Sequence, residues 1–334
     1  MATPQLYTSP NRWMGLGLEP GWGTVTAPDI YLQVDPNPST EPQVTYLENK
    51  ALYGSAAQVY DTLTGVIHTK VSAKGNAFTD TFGYLPFLAL GKDTVSGTVA
   101  PYTHTLTLAE AASTGSFPGS VTVTDIDNVA ATFNSITGSA KQIPGCVIDS
   151  LSITANATGA LSYSVDFVGS ELGQVTAPTP AFSTAVFVPA YLADVKLNGS
   201  SYELIEELSI DVKRSAKAVP TLNGSPAPYV VWPDGIDVTG KFTIAVGPND
   251  ANYYNALTRV HNTLLISFTD PVSGYSFTFQ MSSVQIKSPK VESSKAWEEV
   301  AVSFQANANT TDASTGYSPF QFAFTSASDV ALAA

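Results

Sequence analysis

Apolar and polar residues alternate at every second position over much of this chain. In Leu161-Ser-Tyr-Ser-Val-Asp-Phe167 the apolar side chains hold one set of positions and Ser162, Ser164 and Asp166 the other. Successive strand side chains point to opposite faces, so the segment has one packing face and one polar face. Leu208, Ile210 and Val212 alternate in the same way with Ser209, Asp211 and Lys213. Further strands are expected at 66–73, 103–108, 120–125, 147–154, 236–246, 264–269, 275–281, 284–287 and 299–305. These runs are rich in Val, Ile, Thr, Tyr and Phe and bounded by Gly, Pro, Asn and Ser. Only two stretches carry helical spacing. One is Tyr253, Leu257 and Val260 behind a capping Asp250; the other is Phe78, Phe82, Leu85 and Leu88 behind Asn76 as cap, kept short by Gly83 and Pro86.

The same elements recur in the same order. Aligning 66–73 with 237–244 sets Lys70 on Lys241, an offset of 171, and the same offset sets Phe82 on Tyr253 in the two helices. Each helix is followed by a strand and a hairpin whose last strands end alike, Val165-Asp-Phe167 beside Val302-Ser-Phe304. A tandem duplication is therefore expected, with modules at 1–180 and 181–334 joined near the Pro-containing stretch 174–181. The predicted fold class is mainly β, in two modules that each carry one helical segment. Ahead of the Lys70 and Lys241 strands lie two long segments without apolar periodicity, Glu48 to Gly65 and Arg214 to Gly235. Loops of that length in a compact domain are commonly functional. Asn49, Tyr53 and Tyr60 in the first, and Lys217, Leu222, Tyr229 and Trp232 in the second, are candidates for reaching a partner.

Charge narrows the classes of partner. Fifteen basic residues face 28 acidic ones, a net charge of −13 over 334 residues. The halves share the sign, with 6 basic and 14 acidic residues in 1–180 against 9 and 14 in 181–334. Such a chain has no basic face with which to hold phosphates. Charged residues make up only 13%, about half of the roughly 25% typical of globular chains. Much of the surface is therefore expected to end against other subunits. No run approaches the ~18 apolar residues that span a bilayer, and no signal segment opens the chain, so membrane partners are not expected and assembly in the cytoplasm is.

Catalytic and metal chemistry are also not expected. No phosphate-binding loop, nucleophile elbow or HExxH pattern occurs. One cysteine, Cys146, with His68, His104 and His261 cannot form a closed zinc site, and Cys146 reads as a packed strand residue. Asp125 and Asp127 face the same way on a strand but lack the further ligands of a calcium loop, and a solvated strand end is the expected reading. Glu206-Glu207 and Glu298-Glu299 point to opposite faces in pairs, so neither pair is an acid/base couple. The chain reads as a non-enzyme without cofactor.

Four passages carry a resemblance. The opening Gly15-Leu-Gly-Leu-Glu-Pro-Gly-Trp-Gly-Thr24, followed by Ala27-Pro28, resembles that of the major tail (tail tube) proteins of long-tailed, non-contractile bacteriophages, especially those of actinobacterial hosts. Ile143-Pro-Gly-Cys-Val147 running through Gly169 is similar to their central hairpin. Val238-Thr-Gly-Lys-Phe-Thr243 and the closing stretch from Ala306 to Pro319 also look like theirs. The resemblance implies a virion protein of two tandem β-sandwich modules, each with one flanking α-helix, whose inner sheets join around a ring into a continuous barrel, with stacked rings forming the conduit through which double-stranded DNA passes without specific binding. Six modules per ring would make three two-module chains with pseudo-sixfold symmetry; six chains per ring is the alternative. It further implies the tape measure protein and the tail tip and terminator proteins as partners. On this reading Asp166, Asp211 and Glu299 line an acidic lumen, Lys70, Lys241, Trp13 and Trp22 make subunit contacts, and the two long segments are arms between rings. The competing reading is a two-module β-sandwich adhesin.

Overall fold

The computed structural model describes residues 12–36, 38–51, 53–54, 56–109, 119–133, 136–182, 185–201, 203–245, 261–270, 272–292 and 297–332. Strands β1 (Arg12–Leu18), β2 (Ile30–Leu32), β3 (Ser39–Asn49) and β4 (Asp61–Asn76) precede the helix α1 (Tyr84–Leu90). β5 (Gly91–Ser96), β6 (Tyr102–Leu108), β7 (Val121–Phe133), β8 (Ile136–Asn156), β9 (Ser162–Gly169) and β10 (Gly173–Val175) follow. Next come β11 (Ala193–Leu197), β12 (Ser200–Ser201), β13 (Ile205–Lys213), β14 (Lys217–Val219), β15 (Val230–Trp232) and β16 (Asp237–Ala245). β17 (His261–Thr269), β18 (Ser276–Glu292), β19 (Glu299–Ala306) and β20 (Gln321–Ser326) complete the described elements. The protein is mainly β, as its alternation predicts.

All strand pairs are antiparallel, and eight strands form one continuous layer in the order β3-β4-β9-β8-β13-β16-β19-β18. The long strands β8 and β18 leave this layer partway along. The first half of β8 pairs with β7 and β10, and β1 and β2 lie beyond β7. The first half of β18 pairs with β17 and β20, with β11 beyond β17, and β6 and β5 beyond β20. Register shifts fall where each strand turns from one sheet into the other, between Ile143 and Cys146 of β8 in its ladder with β7 and between Met281 and Val284 of β18 in its ladder with β17, the usual device at the corner of a sandwich. The sheets do not close into a barrel.

One apolar core runs between the layers. Phe82 lies against Tyr163 of β9 on one side and against Phe277, Phe279 and Phe322 of β18 and β20 on the other, with ring centroids 5.1 to 6.4 Å apart. Aromatic rings at such separations add to the burial of their large apolar area. The helix is shorter than the stripe from Phe78 suggests. Asn76 closes β4 instead of capping a helix, Phe78 bridges to Phe187, and Gly83 is the N-cap with no side-chain bond. Pro86 is tolerated because it falls in the first turn, where its missing N–H has no helical partner. Gly91, at φ 93°, ends the helix in a left-handed cap. The second expected helix, over 250–260, lies outside the described residues.

Two ladders of equal length can be set beside the expected recurrence, in a register other than that of the two lysines. β4 pairs with β9 over eight positions from Thr69 to Asn76, and β16 pairs with β19 over eight from Val238 to Ala245. The ladders coincide when Thr69 is set on Val238, 169 positions on, two fewer than the offset that superposes the two lysines. β9 and β19 coincide 137 positions apart, which sets Val165 and Phe167 on Val302 and Phe304 as the sequence suggested. A slip of two keeps every side chain on its face, so the alternation pattern cannot detect it. The halves also interlock: β5 and β6 lie before residue 180, yet β6 pairs with β20 near the C-terminus.

Two expected loops contain strands. Glu48 and Asn49 end β3 and 61–65 begin β4, so the first long segment is the tip of a hairpin. The second holds the β14–β15 hairpin, with Lys217 opposite Trp232 and Val219 opposite Val230.

Candidate functional site

The feature that dominates the surface is the outward face of the eight-stranded layer. Its inward face is apolar, with Val71, Val165, Phe167, Leu151, Ile210, Phe242 and Val302 all buried. The residues between them supply hydroxyls, amides and both signs of charge, except at Val147 and Val168, which are buried beneath Val231 of β15. Asp166 accepts hydrogen bonds from Ser72 Oγ at 2.6 Å and Ser150 Oγ at 2.7 Å, linking β4, β9 and β8. Asp211 accepts from Ser152 Oγ at 2.5 Å, and Glu207 accepts from Asn156 Nδ2 at 2.8 Å, both across β8 and β13. Asp237 accepts from Gln305 Nε2 at 2.6 Å. Each carboxylate is thus held by neutral donors, which fixes its position without cancelling its charge.

Asp166 and Asp211 therefore share one face, as the sequence predicts. Glu299 does not lie open on it: only 6% of the residue is exposed. Lys70 and Lys241 are exposed on this same face, on β4 and β16. Each of those strands is flanked on both sides within the chain, so neither lysine marks a free sheet edge. His68, beside Lys70, is held below its usual pKa first by burial and then by that lysine, and is neutral at pH 7. A groove of about 550 Å³ crosses the β8–β13 seam, lined by Thr154, Asn156, Glu207, Ser209 and Lys241 among others.

The layer ends in two edges without a partner strand among the described residues. β3 pairs only with β4, and the second half of β18 pairs only with β19. Beyond the end of β9, β3 and β4 continue as a two-stranded ribbon from Tyr46 opposite Thr64 to Asn49 opposite Asp61. Tyr46, Leu47, Leu63 and Tyr53 are each about 60% exposed on it. Tyr53 and Tyr60 pack ring to ring at 4.5 Å, and Asn49 Nδ2 donates to the Tyr53 hydroxyl. A lone two-stranded ribbon with apolar side chains in water is marginal by itself.

The second long segment is anchored instead. Val231 packs with Val147 and Val168, bordered by Trp22, Ala216 and Ala218, and the Ile67 amide of β4 donates to the Pro226 carbonyl at 2.9 Å. Its base is therefore held within the chain by Val231 and the Pro226 carbonyl. Lys217 is tied to Asp234 at 3.1 Å, while Leu222, Tyr229 and Trp232 stay exposed. Trp13 meets Phe182 edge to face at 6.1 Å, so both tryptophans named as subunit contacts also pack within the chain.

Several buried polar groups escape sequence reasoning. Glu19, 1% exposed, accepts from the amides of Gly23 and Gly145 and the hydroxyls of Ser120 and Thr122. Its one signal is an acid inside the otherwise apolar and Gly-rich run 14–23. Asp125 is fully buried and bound by Arg12 at 3.0 Å and Thr40 Oγ1 at 2.7 Å, which makes it half of an ion pair and not a solvated strand end. Cys146 is buried and its thiol is pushed up by burial, so it is no nucleophile. Among the described residues no three His, Cys, Asp or Glu side chains form a metal cluster, and no helix is long and apolar enough to cross a membrane.

A family model described as phage tail tube protein matches residues 14–308 of the chain. A comparison with curated proteins returns no match.

Proposed function

The chain belongs to the phage tail tube protein family, and from that membership we propose how it builds the tube. It is a structural virion protein of the tail. Three chains form each ring, every chain supplying two modules, 1–180 and 181–334, in pseudo-sixfold symmetry, and the rings stack into the conduit for DNA. The observation that carries this reading is the β8–β13 seam. There one four-strand set, β3-β4-β9-β8, continues into a second, β13-β16-β19-β18, as a single sheet with both outer edges open. Open edges favour pairing with another copy, and ring closure removes them.

The polar face then looks into the lumen. Asp166 and Asp211 lie there with Lys70 and Lys241, so both signs of charge meet the passing DNA and no basic track is available to hold its phosphates. The ribbon bearing Asn49, Tyr53 and Tyr60 and the exposed tip around Leu222 reach neighbouring copies, where burying their apolar side chains offsets the entropy of ordering them. Tape measure, tail tip and terminator proteins complete the tail, which assembles in the host cytoplasm. Cryo-electron microscopy of the purified protein tests the proposal: hollow tubes of uniform width with three chains per ring are expected. Six chains per ring with 181–334 outside the barrel would refute the trimer, and the absence of tubes would refute polymerisation by this chain alone.

A further inference from the structure

The seam inside the chain is a template for the seam between chains. At β8–β13, Lys213 faces Ser150, Asp211 faces Ser152 and Glu207 faces Asn156. Asp211 also faces Thr239 of β16, whose counterpart 169 positions back is Lys70, and Lys70 faces Glu41 of β3. Ser152 also faces Ser164 of β9, whose counterpart 137 positions on is Ala301, and Ala301 faces Lys290 of β18. Glu41 thus stands where Asp211 stands, and Lys290 where Ser152 stands.

We propose that β3 of one copy pairs antiparallel with the second half of β18 of another, in the register that sets Glu41 opposite Lys290. This rests on the ring reading above and adds to it the edges, the register and the charges. Three further observations agree with the register. It places Gln43 opposite Lys287 by the same correspondence, so polar side chains meet on the lumen side at two successive levels. It brings Pro42, which has no N–H to give a ladder, level with residues 288 and 289, where β18 already breaks its own ladder between Lys287 and Lys290. Glu41 and Lys290 are both exposed in the single chain. The seams then differ in kind. At the seam within the chain a serine hydroxyl meets a carboxylate, whereas between chains an ammonium meets one, so of the two seams the one between chains is the more salt-dependent.

The test uses the full chain. In E41C/K290C, oxidation should link chains covalently into closed trimers, because residues directly opposite on antiparallel strands have the Cα spacing a disulfide needs. E41K and K290E should each raise the protein concentration needed for tubes by at least about tenfold, through like charges set face to face. The double reversal E41K/K290E should assemble at least about threefold better than E41K alone, the remaining loss coming from the repulsion that E41K adds against Lys70 of its own chain. Wild-type tubes combined with no 41–290 cross-link, or a double reversal no better than the single ones, would overturn the register alone. A wild type that never leaves the monomer would overturn both this and the tube reading.

Discussion

Replacing Glu19 by alanine should unfasten the N-terminal turn from the sandwich. The carboxylate is buried with no cation among the partners described above, and its four hydrogen bonds run at 2.5 to 2.8 Å. Two come from hydroxyls, which can turn to other acceptors. The other two come from the amides of Gly23 and Gly145, which cannot turn. An orphaned buried donor costs roughly 1–3 kcal/mol, so two give about 2–6, partly relieved by water entering the space left. A loss of about 3 kcal/mol is expected for E19A. For E19Q about 1–2 kcal/mol is expected, since the amide oxygen can still serve Thr122 and Gly145 while its NH₂ faces the Gly23 amide, donor to donor. Gly145 holds φ at +63°, with the Trp22 ring packed where a side chain would start, and Trp22 borders the Val147, Val168 and Val231 cluster that anchors the β14–β15 hairpin. The damage should therefore spread to that hairpin. Urea unfolding of the free subunit followed by far-UV circular dichroism measures the first effect, and proteolysis within 217–232 the second. An E19A subunit within about 0.5 kcal/mol of wild type would refute the reasoning.

Other perturbations test other links. A side chain added at Gly240 would overlap the Phe304 ring and the Ser209 carbonyl, so G240A should lower stability by about 2–4 kcal/mol, read as a fall in Tm of the free subunit. His104 is buried between the Asp93 carboxylate at 2.7 Å and the Ser328 carbonyl at 3.0 Å, and Asp93 also accepts the Leu332 amide at 2.9 Å. H104A and D93A should each free 328–332 for carboxypeptidase digestion while the strand content by circular dichroism stays unchanged. Shortening 217–227 removes β14, the ladder partner of β15, and the Pro226 contact to Ile67 but leaves the eight-stranded layer intact, so the chain should fold and fail to form tubes; tubes of normal length from the shortened chain would show that this segment has no assembly role.

What the sequence shows and what it hides follow from the same physics. β9, β13 and β16 are legible because each has one face in the core and one in solvent, which writes a period of two into the residues. The face that carries Asp166 and Asp211 was legible for the same reason. Edges were not, because alternation records which way a side chain points and says nothing of which strand lies beside it. The slip from 171 to 169 shows this limit: superposing Lys70 and Lys241 satisfies the pattern as well as the true ladder does, since both keep the lysines on the polar face. The pairing of β6 with β20 spans more than 200 residues, and no local signal encodes it. Exposed Tyr46, Leu47 and Leu63 on β3 and β4 were hidden from the sequence as well. The sequence predicts no strand over 39–49 and a loop over 48–65, and only the ladder shows a strand pair there that β9 stops short of. Apolar side chains on a ribbon that its own sheet leaves uncovered are what the proposed contact with a neighbouring copy would bury, and no pattern within one chain can show that contact.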